Sequence, residues 1–173
     1  MAITVADLKK RLDELNLKYF LAPDKPMLMA GFGGVNGSYQ VAMLVELDGT
    51  FLQFRTLGYL KCTVDAPALT EVLKVIGDVN FRRRLIKLGW DASDGEIVAY
   101  ADMWIVDAGL TTRQLDRMIK SFVMSMDMAY GRLKKTIETG TDPGDLSLED
   151  MIAAAAGHDG KAKKKEKKEP VII

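Results

Sequence analysis

The run Gly31-Phe32-Gly33-Gly34-Val35-Asn36-Gly37 is dense enough in glycine to cradle a phosphate. A dinucleotide loop sets Gly-x-Gly-x-x-Gly between a strand and a helix, so that the phosphate meets the helix N-terminus. Here Asn36 stands where the third glycine belongs, and the residues that follow read as a strand. A loop between strands accounts for the run better. Asp91-Ala92-Ser93-Asp94-Gly95-Glu96 echoes a calcium loop, but its glycine comes one place early and the bidentate glutamate at position twelve is missing. His158 is the single histidine and lies in the tail, which rules out a His–His metal site and disfavours a Ser/His/Asp triad. Paired carboxylates could do acid–base work, yet no spacing singles out a pair. Asp102, inside an apolar run, reads as an outward-facing strand residue. The chain does not read as an enzyme and calls for no cofactor.

Basic residues offer a second kind of chemistry. Arg82-Arg83-Arg84 could contact phosphate or an acidic partner, but three cations at a helix C-terminus also suit the negative end of its dipole. Residues 157–173 hold six Lys against Asp159, Glu166 and Glu169, a net +3 that leaves −3 on the rest. Those acids dilute the tail and no aromatic residues interleave it, so solubilisation is its default role and nucleic-acid binding the lesser alternative.

The third possibility is recognition of another protein. At about 100° per residue, Leu115, Ile119, Phe122, Met126, Leu133 and Ile137 share a narrow arc of one long helix. Met124 and Met128 fall roughly 180° to 220° from Leu115, with Ser121 and Gly131 close by. Methionine adapts to varied partners. These four residues form the candidate interaction surface, for a second copy or another protein. Further on, Leu148, Met151, Ile152 and Ala155 recur at i, i+3, i+4 and i+7 on a helix too short to stand alone. That helix docks either on its own domain or in a partner's groove, with self-docking slightly preferred.

The elements that position these residues follow from local grammar. Three helices open with an apolar residue, a hydroxyl cap, and an acid or amide three places on: at Thr4, Thr111 and Ser147. Another follows Asp65-Ala66-Pro67, with Asp65 as cap and Pro67 in the first turn, and ends between Ile76 and Phe81. Between the first two helices the period becomes two. Tyr39–Leu47 alternates, Asp48-Gly49 makes a tight hairpin turn, and Phe51–Leu60 returns. Lys18–Ala22 and Met27–Phe32 are shorter strands, and Leu85–Trp90 and Glu96–Ile105 form a hairpin about Asp94-Gly95. The order α-β-β-β-β-α-β-β-α predicts an α+β fold, an antiparallel sheet with helices packed on it. Residues 1–140 make one domain; 141–173 make a linker, a short helix and a disordered Lys-rich tail.

At 173 residues, 48% hydrophobic and 28% charged, the chain can build a full core. No apolar stretch approaches a membrane span, and the first residues lack a secretion-signal pattern. Cys62, the single cysteine, permits no internal disulfide and suits a reducing cytoplasm.

Residues Leu8–Leu133 resemble the YbjN family. The carrying segments are Leu12–Phe20, the strands within Tyr39–Tyr59, Val79-Asn80, Lys87–Ile97 around Asp94-Gly95, and Leu110-Thr111 at the start of the last helix. The resemblance implies a type III secretion chaperone-like fold and a regulator of bacterial sensory transduction. The related chaperones are cytoplasmic, often dimeric, binders of other proteins, and the family supplies no catalytic residues to carry over. The expectation is a cytoplasmic chaperone-like adaptor or regulator, with a protein partner or homodimer and no membrane. A nucleic-acid-associated regulator and a small-ligand sensor are the alternatives.

Overall fold

The computed structural model describes residues 2–22, 25–107 and 109–145. Its order is α1 (Val5–Glu14), β1 (Phe20–Leu21), β2 (Met27–Gly33), β3 (Ser38–Glu46), β4 (Phe51–Leu57), β5 (Leu60–Lys61), α2 (Leu69–Arg82), β6 (Lys87–Trp90), β7 (Glu96–Trp104) and α3 (Thr112–Thr139). All pairings are antiparallel, in the path β1-β2-β3-β4-β7-β5 with β6 also on β7. The α+β expectation holds, with one more short strand than foreseen. That strand exists because the chain breaks at Gly58 (φ 58°) and then rejoins β7 at Leu60.

Two helix starts match their local grammar. In α1 the Thr4 hydroxyl accepts from the Asp7 N–H and the Asp7 carboxylate accepts from the Thr4 N–H. The same reciprocal box joins Thr111 and Gln114 at the head of α3, and Gly140 ends that helix in the left-handed region. The expected capping of α2 fails. That helix starts at Leu69, and Ala68 caps it without a side-chain bond. Asp65 instead pairs with Thr63 in the preceding turn, which holds its carboxyl below the usual range. The Asp48-Gly49 turn is also wider than expected. Residues 47–50 connect Glu46 to Phe51, and Leu47–Gly49 form a 3-10 turn pinned by the Ile3 N–H donating to the Gly49 carbonyl at 2.8 Å.

One face of the sheet and the three helices enclose the core. Leu28, Val41, Met43, Leu52, Phe54, Ile97 and Ala99 meet Leu115, Phe122, Met126 and Leu133 of α3, with Leu8 and Leu12 of α1 and Val72 and Val75 of α2 at the sides. Phe54 and Phe122 stand 5.9 Å apart, centroid to centroid. Such burial, at about 25 cal/mol per Å² of apolar surface, is what fixes α3 across the sheet. Asn80 stitches α2 to β6 by accepting from the Leu88 N–H and donating to the Leu88 carbonyl. Asp102 faces outward as expected, accepting from Gln53 at 2.8 Å and Lys87 at 3.2 Å.

Candidate functional site

The glycine-rich run ends β2 at Gly33 and forms the Gly34–Gly37 loop into β3, and the loop amides of Val35 and Asn36 are already engaged. Asp127, on α3 and only 7% exposed, accepts from the Val35 N–H at 3.0 Å and the Asn36 N–H at 2.9 Å. The Tyr39 hydroxyl donates to the same carboxylate at 2.5 Å, and the Asn36 amide donates to the Asp127 carbonyl at 3.0 Å. The chain's own carboxylate thus sits where an anion would bind. Burial and the neighbouring Asp127 push the Tyr39 phenol well above its ordinary range, so it stays a donor. Tyr59 is raised by burial and donates to the Met126 carbonyl. With Tyr130 these two rings form an aromatic cluster beneath the loop.

Two glycines permit this close approach. A Cβ on Gly34 would lie 2.2 Å from Asp127 Oδ1, and one on Gly131 would lie 2.5 Å from Asn36 Oδ1. Gly131 was expected on an outward binding face. It packs instead under the loop of its own chain, because the loop must touch α3 for Asp127 to reach it.

The anchored loop is one wall of an apolar groove of about 550 Å³. Leu15 and Leu17 at the end of α1 form the second wall, and Ile119, Val123 and Met124 of α3 form the floor and lip. Phe32 and Val35 line the loop side. Thr112 donates to Glu14, and Arg11 donates to the Leu110 carbonyl, so α1 is tied to the start of α3 and the groove keeps its width. Its rim carries the Asp116–Lys120 ion pair at 2.8 Å.

The two methionines, one turn apart, have different neighbours. Met124, 62% exposed, stands at the lip of the groove. Met128 is half-buried on the α2 side, its sulfur 4.0 Å from an Arg83 Nη1. Ser121 is half-buried. Leu148, Met151, Ile152 and Ala155 lie outside the described residues. Of the arginine run, Arg82 pairs with Asp78 at 2.6 Å and Arg83 with Asp145 at 3.5 Å, while Arg84 is exposed. Asp91 accepts from Ser93, and Asp94 from the Glu96 N–H, so both aspartates of the calcium-like stretch brace the β6–β7 turn. Cys62 is buried, and burial raises its thiol.

Sequence reasoning missed Asp127 and Arg132. The Arg132 guanidinium is buried and gripped by Asp78 at 2.7 Å, by Asp142 at 2.6 and 2.8 Å, and by Asp145 at 3.3 Å. Arg132 holds the Asp78 and Asp142 carboxyls below their usual range. The available signal was Asp127 and Gly131 one turn apart, an acid and a gap on the same face.

The YbjN family profile, described as "Putative bacterial sensory transduction regulator", matches residues 4–135. The crystal structure of YbjN from E. coli, "a putative transcription regulator", is similar with a TM-score of 0.60 at 14% identity, over 78% of this chain and 96% of that one. An uncharacterized protein from Methanothermobacter thermautotrophicus is similar with a TM-score of 0.51 at 12% identity, over 77% and 98%. The HopA1–SchA chaperone-effector complex gives 0.47 at 17% identity, over 69% and 86%, a similarity too slight to define a shared fold. At these identities the fold alone is common. No curated protein matches the chain. Among the described residues, no helix is long and apolar enough to cross a membrane.

Proposed function

The chain belongs to the YbjN family, and we propose that it is a non-enzymatic protein-binding module, a chaperone-like adaptor or regulator of the bacterial cytoplasm. The observation that carries this reading is the groove between α1, the Gly34–Gly37 loop and α3. It is apolar, open, and wide enough for one face of a partner segment, with an ion pair at the rim to set direction. Seating an apolar helix or strand there would cover Leu17, Phe32, Val35, Val123 and Met124.

Edge pairing is a second mode of contact. β6 pairs with β7 along Ile97–Tyr100, whereas β4 pairs along Tyr100–Trp104 on the other side. Among the described residues, Ala101–Trp104 therefore has a ladder on one side only. Trp104 at its end is exposed and stacks edge-on with Phe51 at 5.0 Å. Exposed aromatics of this kind dominate binding energy at protein interfaces.

Neither alternative gains from the geometry. The loop amides that would hold a small anionic ligand already meet Asp127. Arg82 and Arg83 are paired with acids, which lowers their value for nucleic acid. The groove reading is tested by affinity capture with Leu17→Asp plus Val123→Asp. Loss of captured proteins supports it, and an unchanged set sinks it.

A further inference from the structure

We infer that residues 148–155 dock in cis along Met128 and Met124, antiparallel to α3. The direction of the chain carries this. After Gly140 the backbone reverses, and the Arg132 guanidinium pulls Asp142 and then Asp145 back alongside the helix. The described residues end at Asp145, which also lies 3.5 Å from Arg83, the residue that touches Met128.

Lengths agree with this path. Met128 is one turn and Met124 two turns back from Arg132, about 6 and 12 Å along the axis. Leu148, three residues past Asp145, reaches the level of Met128 within an extended span of about 10 Å. Leu148 and Ile152 then repeat the four-residue spacing of Met128 and Met124, with Met151 and Ala155 on the same stripe. Charge agrees as well. Glu149 and Asp150 of the segment approach a surface carrying the exposed Arg84 and Arg117. The family profile stops at residue 135, so Asp142 and Asp145, which the Arg132 guanidinium holds and which aim the tail, lie beyond it.

This inference is separable from the groove reading, because Met128 and the Arg83–Asp145 contact lie on the α2 side and only Met124 is shared with the groove. It is tested on the full chain labelled with ¹³C at the methionine methyls. In the wild type, Met151 shows a through-space contact to Met128 or Met124, and this is unchanged over a tenfold dilution. Leu148→Asp with Ile152→Asp removes the contact and shifts the Met128 and Met124 methyls, while Met43 and Met126 stay in place. Met128 and Met124 signals indifferent to the tail substitutions would overturn the inference. So would a contact that weakens on dilution, which would mean a second copy.

Discussion

The Asp127 carboxylate accepts the Asn36 N–H at 2.9 Å across 91 residues of sequence, and this one relationship shapes the surface. It presses the loop onto α3, fixes Val35 as a groove wall, and closes the loop to outside anions. A carboxylate with four donors is worth more than its separate bonds, because each donor is held for the others.

Replacing Asp127 with Ala leaves Val35, Asn36 and Tyr39 without their acceptor. The expected loss is roughly 2–4 kcal/mol in urea unfolding, together with faster hydrogen exchange at the loop amides. Tyr39→Phe removes one donor and costs about 1 kcal/mol. Equal stability in all three proteins would show that the contact is incidental.

Two helical glycines should respond in opposite directions. Gly77 on α2 has open space where a Cβ would stand, so Gly77→Ala raises stability by about 1 kcal/mol. Gly131→Ala drives a methyl into the Asn36 carboxamide, which is tied to α3, and lowers stability despite the better helix former. Thermal melts of the two single variants decide this.

The bracket at Arg132 predicts an acid-sensitive segment. Arg132 holds Asp78 and Asp142 below their usual range, so both bind protons more weakly folded than unfolded. Their contribution is therefore present above the unfolded carboxylate value of about 3.9 and lost as pH falls through the depressed folded values. The stability gap between wild type and Asp142→Asn should be full at pH 7 and close below about pH 4. A gap unchanged at pH 3 would mean that the ion pair is not its source.

Much of the frame was legible from short-range chemistry. The boxes at Thr4 and Thr111 and the alternation from Tyr39 onward each rest on neighbours within a few residues. What escaped depends on residues distant in sequence. Nothing near Asp127 announces Asn36, and helical angles alone cannot tell that α2 reaches Met128 while the groove reaches Met124. Local grammar misled at the Asp48-Gly49 turn and again before α2, where Asp65 was well placed to cap the helix but bonded within its own turn. A capping signal names a side chain's options, and the turn before the helix decides among them.

On the proposed function, the groove between α1 and α3 holds a segment of another protein. The most direct measurement is site-specific photo-crosslinking in the native cell, with the photoreactive residue at Leu17 or Val35 and a control at exposed Leu73 on α2. Discrete higher-mass adducts are expected at Leu17 and Val35 and none at Leu73. No adduct at the groove positions, or the same adducts at all three, would contradict the proposed function.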